Sequence, residues 1–187
     1  MAARDRQPDG ISGLAYFFAP LVKDRFDEIN SVEIGLLKAV AGTCTLLAMV
    51  AIGLHSDRKG ERRWHVAGAA FVAAAAWGLS MWRDVPVASF VGMMLAQAAM
   101  MSMWGPFWSL ATTFLGHRAA AGGIALINAI ANLGAFFGPI LMGGSEEAGD
   151  FTLGLAVMGL TLVLSGILAL WVRPEQPVSP FLKCPPF

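Results

Sequence analysis

The sequence predicts an all-α fold, a polytopic bundle of transmembrane helices, and three observations predict it. The 187-residue chain is 56% hydrophobic and only 14% charged, against about 25% charged residues in a soluble domain. Its mean hydropathy is +0.61. Its charges gather at the ends of long apolar runs and are nearly absent inside them, the pattern expected where an ionised group in hydrocarbon costs several kcal/mol. The formal net charge is zero, so the chain shows no electrostatic footprint for nucleic acid.

A helical span takes about 20 apolar residues at about 1.5 Å each. Five segments qualify: 34–54, 66–82, 87–115, 122–143 and 152–172. The third is interrupted at Gly105-Pro106. Residues 11–22 form a sixth apolar stretch. At about 18 Å of helix against a core of about 30 Å it reads as a partial span, with an interfacial segment as the alternative. Residues 1–10 are a polar N-terminus and residues 173–187 a tail, so 1–187 is a single transmembrane unit.

The loops orient the spans. Residues 55–65 are strongly basic, 116–121 carry His117 and Arg118, and the tail carries Arg173 and Lys183. Residues 144–151 carry Glu146, Glu147 and Asp150 and no base. The positive-inside rule places the basic segments and the C-terminus in the cytoplasm, and all five spans alternate consistently under that assignment. The lipid bilayer is thus one partner of the chain. Cys44 and Cys184 have no metal-ligand spacing, and no metal site or cofactor motif is visible.

Residues 53–65, Gly-Leu-His-Ser-Asp-Arg-Lys-Gly-Glu-Arg-Arg-Trp-His, hold four of the 13 Lys and Arg. Four cations suffice to orient a helical hairpin, but they do not explain Asp57. A carboxylate at a helix C-terminus is disfavoured by a few tenths to about 1 kcal/mol. It therefore calls for a basic side chain or a helix N-terminus nearby. Gly60 permits a tight turn. The segment reads as a charged latch between helices, with a solvated loop as the alternative.

Gly53, Asp57, Arg58, Gly60, Arg62 and Arg63 resemble the cytoplasmic-loop motif of the major facilitator superfamily, with Glu61 in place of one terminal base. That family has two six-span halves. The stretch from Pro106 to Pro139, PFWSLATTFLGHRAAAGGIALINAIANLGAFFGP, is similar to the tenth and eleventh spans of its anion:cation symporter branch. That branch holds the tartrate, phthalate, hydroxyphenylacetate and sugar-acid permeases. The resemblance covers most of the chain. It implies the C-terminal half of a permease, a half-bundle beginning partway through the seventh span and truncated relative to the whole. The function it implies is proton-coupled symport of a small organic acid, not enzymatic catalysis.

Candidate substrate contacts follow from residues and resemblance together. Asn128 and Asn132 are spaced i, i+4 and share a helix face. Unpaired amides are costly in lipid, so that face points at protein or water. Interhelical hydrogen bonding is the alternative, held open for Asn132. The resemblance matches Asn128 to a ligand-binding asparagine and Trp108 to a cavity tryptophan, whose indole N–H can donate to a carboxylate. Phe107 and Trp108 follow the Gly105-Pro106 break, and broken helices line transporter cavities. Gln97 is either packing or cavity lining. Tyr16 and Phe18 fall in the partial span, which supplies ligand contacts in the branch. The Gly134, Gly138 spacing reads as close helix packing.

No Asp or Glu lies inside the five spans. A proton-coupled carrier needs an ionisable group there, which the resemblance assigns to an N-terminal half. That half, or a partner membrane protein, is the second partner expected. The alternative function is a non-transporting membrane subunit that binds a partner protein.

Overall fold

The computed structural model describes residues 22–23, 29–82, 84–114, 120–147 and 152–172, with Ala19 and Phe26. Six long helices occupy them: α1 (Ser31–Lys59), α2 (Arg62–Ser80), α3 (Pro86–Ser102), α4 (Trp104–Phe114), α5 (Ala120–Glu147) and α6 (Thr152–Trp171). No strand occurs among the described residues. Ser31–Lys59, Pro86–Thr113, Ala121–Gly138 and Thr152–Trp171 are long and apolar enough to cross a membrane. The segment expected at 66–82 forms α2. Its 19 residues span about 28 Å at 1.5 Å each, but its alanines and two arginines make it less apolar than the other four.

The ends of the helices follow local chemistry. Asn30 caps α1. Its Oδ1 accepts from the backbone N–H of Val32 and of Glu33, each at 2.9 Å. Its own N–H donates to Glu33 Oε2 at 2.9 Å, closing a capping box. That box starts α1 three residues before the predicted 34. At the other end α1 runs on to Lys59, so most of the expected 55–65 loop is helix. Only Gly60 and Glu61 separate α1 from α2. Gly60 stands at φ +69° and its N–H donates to the Ser56 carbonyl at 2.9 Å, a left-handed helix stop that a side chain would strain.

α3 opens on Pro86, whose missing N–H costs nothing in a first turn. It ends at Ser102, and a bend at Met103 leads into α4. The expected interruption at Gly105-Pro106 therefore lies slightly upstream. Pro106 cannot donate to the Ser102 carbonyl four residues back, and its ring crowds that carbonyl. The deficit falls on the turn before the proline. The axis is bent rather than cut: Phe107 N–H still donates to the Met103 carbonyl at 2.8 Å.

α2 is the centre of the bundle. It packs broadly against α3 and α6 and also touches α4, while α1 packs on α3. Ala73, Ala76 and Trp77 of α2 meet Met93 and Ala96 of α3 and Leu155 and Leu162 of α6 in the main core. Small residues let the backbones close in. A Cβ built on Gly92 would lie 2.6 Å from the Ser80 nitrogen and 2.7 Å from the Ala76 carbonyl oxygen, so only glycine fits there. Beside it, the buried Ser89 hydroxyl donates to the Ser80 carbonyl at 2.7 Å. Val22 enters a second cluster with Ile34 and Ala41.

α5 is the contrast. It packs on α6 and makes no other broad contact among the described residues. The expected close packing at Gly134 and Gly138 is not made among the described residues. A Cβ on either would meet nothing within 4 Å.

Candidate functional site

Three groups of predicted residues have distinct places. The first is the α1–α2 turn. Gly53 is half-buried within α1, while Asp57 and Arg58 are exposed in its last helical turns. Arg62 and Arg63 open α2, both half-buried. Arg62 Nη1 donates to the Ser109 carbonyl of α4 at 3.4 Å, a long hydrogen bond that joins the turn to a helix 47 residues on. Its Nε is buried without a partner among the described residues, as is the Ser56 hydroxyl. The Arg63 guanidinium lies 5.7 Å from the centre of the Trp64 ring, within cation–π range. No ion pair to Asp57 occurs among the described residues.

The second group is the bend. Phe107 and Trp108 sit in the first turns of α4, in edge-to-face contact with ring centres 5.4 Å apart. Trp108 is half-buried and Phe107 more exposed. Phe107 borders a cleft of about 310 Å³ between α2, α4 and α6, with Thr161 and Ser165 of α6 on the opposite wall. Gln97 is half-buried in α3, with no side-chain hydrogen bond among the described residues.

The third is α5. Asn128 and Asn132 are both exposed, and neither amide has a hydrogen-bond partner among the described residues. Leu126, Ile130, Leu133 and Phe136 around them are each at least 60% exposed. The amides are thus a polar stripe on the otherwise apolar stretch Ala121–Gly138 of α5.

The structure does not gather these groups into one pocket. α4 and α5 share no broad contact, so Trp108 and Asn128 stand on separate helices. Tyr16 and Phe18 lie outside the described residues. Sequence reasoning missed Thr161 and Ser165, which face Phe107 across the cleft. Two hydroxyls at i, i+4 on an apolar helix were the available signal. It also missed the pairing of His55 with His65, whose ring centres lie 5.2 Å apart across the turn. Ten residues separate them in sequence, and only the tight turn at Gly60 brings them together.

Comparison with known proteins adds what geometry alone lacks. The chain is 37% identical over 161 residues to an Agrobacterium vitis protein named as a candidate tartrate transporter, covering 86% of this chain and 36% of that protein. A second such Agrobacterium vitis protein is 36% identical over 161 residues, covering 86% and 37%. A quinolone resistance transporter of Acinetobacter baumannii is 29% identical over 159 residues, covering 84% and 36%. The chain therefore spans little more than a third of the length of these relatives. All three are transporters by name. No solved structure matches it. The family model described as Major Facilitator Superfamily matches residues 10–183. With that match over nearly the whole chain, and helices apolar enough to lie in a bilayer, the protein is an integral membrane protein of the major facilitator superfamily.

Proposed function

We propose that the chain supplies helices of a transporter for small organic anions of the bacterial inner membrane, with its C-terminus in the cytoplasm. It belongs on this reading to the anion:cation symporter branch and works by proton-coupled symport in the complete carrier. The observation that carries the reading is the amide stripe of α5, in a chain related to candidate tartrate transporters. Two unpaired amides facing hydrocarbon would each be costly. Facing a water-filled path, they hydrogen-bond the hydroxyls and carboxylates of a tartrate-like anion. Asn128 makes the main contact with Asn132 beside it. Trp108 donates its indole N–H from the bend of α4, where Phe107 packs the ligand, and Gln97 and the outlying Tyr16 and Phe18 complete the lining. No Asp or Glu lies in the apolar segments 34–54, 66–82, 87–115, 122–143 and 152–172, so on this reading the proton-accepting group comes from outside them. Alternating access then rocks this unit against another six-span unit. The charged turn, with Gly53, Asp57, Arg58, Gly60, Arg62 and Arg63, latches the cytoplasmic side of that contact.

A second reading has its own observation. The quinolone resistance relative and the edge-to-face pair of Phe107 with the half-buried Trp108 fit a flat aromatic substrate. One experiment separates the two. Residues 10–183 replace the matching segment of the 37%-identical Agrobacterium vitis relative, and uptake of labelled tartrate is measured in cells. Uptake is expected, with a drop of at least about tenfold, the equivalent of 1.4 kcal/mol, in Asn128→Ala and in Trp108→Ala at unchanged expression. A chimaera that moves a quinolone and no organic anion establishes the second reading instead.

A further inference from the structure

A groove of about 350 Å³ runs between α1, α2 and α3 and ends at the basic turn. Its walls are small and apolar: Ala48 and Ile52 of α1, Gly68 and Ala69 of α2, Ala98 and Ala99 of α3. It is open to the surroundings. Leu95 and Trp64 on its rim are 43% and 54% exposed, and a Cβ built on Gly68 would meet nothing within 4 Å. Ser102 is the polar residue in these walls, and its buried hydroxyl is turned away to donate to the Ala98 carbonyl at 2.6 Å.

The mouth differs from the walls. Trp64 and His65 line it. The Arg63 guanidinium is held over the Trp64 ring. His65 Nδ1 lies 2.8 Å from the Glu61 carbonyl oxygen. A carbonyl only accepts, so Nδ1 carries the proton and donates to it. The His55 ring stands 5.2 Å away. Arg58 and Lys59 follow His55 by three and four residues, on the same face of α1. Asp57, two residues from His55, projects from the other side of the helix. Arg58, Lys59 and Arg63 against the two acids Asp57 and Glu61 leave the mouth net cationic.

We propose that this groove is a binding site for an anionic phospholipid, its acyl chain between α1, α2 and α3 and its phosphate at Arg63 and the neighbouring bases Arg58 and Lys59. The apolar walls and the cationic mouth are complementary to the two ends of such a molecule and to neither end of a soluble anion. The basic turn lies, by its charge, on the cytoplasmic side, where anionic lipid is abundant and each nearby base adds to its attraction. The aromatic ring at the mouth sits where headgroups meet hydrocarbon.

The test uses the 187-residue chain purified in detergent, with phosphatidylglycerol, phosphatidylcholine of the same acyl chains, and inorganic phosphate as probes. Thermal melting and native mass spectrometry report binding. Phosphatidylglycerol is expected to stabilise the chain at about tenfold lower concentration than phosphatidylcholine. Gly68→Leu fills the groove and is expected to remove retention of both lipids. Arg63→Gln leaves the walls intact and is expected to remove only the preference, which keeps the test whole if Gly68→Leu does not fold. Equal stabilisation by the two lipids in the unaltered chain overturns the proposal, leaving ordinary surrounding lipid. So does an equal shift with inorganic phosphate alone, leaving a soluble-anion site.

Discussion

α2 and α5 are both helices of a membrane protein, yet they sit in opposite ways. α2 is rich in alanine and fails to qualify as a span by length and apolarity together. It is nevertheless the helix most surrounded by others, with Trp77 fully buried and Ala70 and Ala73 closed off. α5 is the more apolar of the two, and none of its span is buried. In water the apolar helix would be the buried one. In a bilayer lipid is as good a solvent for leucine as a protein core is. Position is decided there by how closely backbones can approach and by where polar groups find partners. Alanine, glycine and serine do that for α2, whereas the glycines and alanines of α5 meet no broad partner but α6 among the described residues.

That contrast can be broken first at Gly92. Gly92→Leu forces a side chain into the backbone of α2 and is expected to cost more than the usual ~1–3 kcal/mol of overpacking. Loss of the monodisperse peak in fluorescence-detected size-exclusion chromatography reads it. Trp77→Ala comes next, with about 3–5 kcal/mol expected from the cavity and lost contacts, seen as a lowered melting temperature. Trp77→Phe should recover most of it, because the indole N–H has no partner to lose. Ser89→Ala removes one buried hydrogen bond to α2 and should cost about 1 kcal/mol by the same melt. Gly138→Ala on α5 should be the mildest, within about 1 kcal/mol and toward stabilisation, since alanine favours helix and the site is open. A large loss at Gly138 would mean that α5 is packed after all, and the contrast would fail.

The helices were legible because apolar length and flanking charge are local properties. Segments 122–143 and 152–172 became α5 and α6, the first with extra turns at both ends. The boundaries that moved did so for backbone reasons: the Asn30–Glu33 box at the start of α1, and the carbonyl deprived of a donor by Pro106. The candidate site was legible only as residue types. Asn128 and Asn132 share a face by spacing alone. Trp108 and Asn128 lie on helices without a broad contact, and no spacing rule relates them. The stretch 55–65 reads from sequence as a basic connection between two apolar runs, a charged latch, because a span is recognised by its apolar residues. Its residues through Lys59 are helical because Gly60 alone supplies the left-handed stop.

The sequence by itself determined that the chain is helical, that it lives in a membrane and that it resembles the major facilitator superfamily. Each of these follows from composition, from runs of about 20 residues or from contiguous motifs, all read along one strand of chain. Only the tertiary structure decided that the alanine-rich helix lies at the centre, that Gly92 meets the backbone of α2, that Arg62 reaches Ser109, and that a groove opens above His65. Those depend on interhelical distance, and in lipid that distance is set by the shapes of facing side chains rather than by their hydrophobicity.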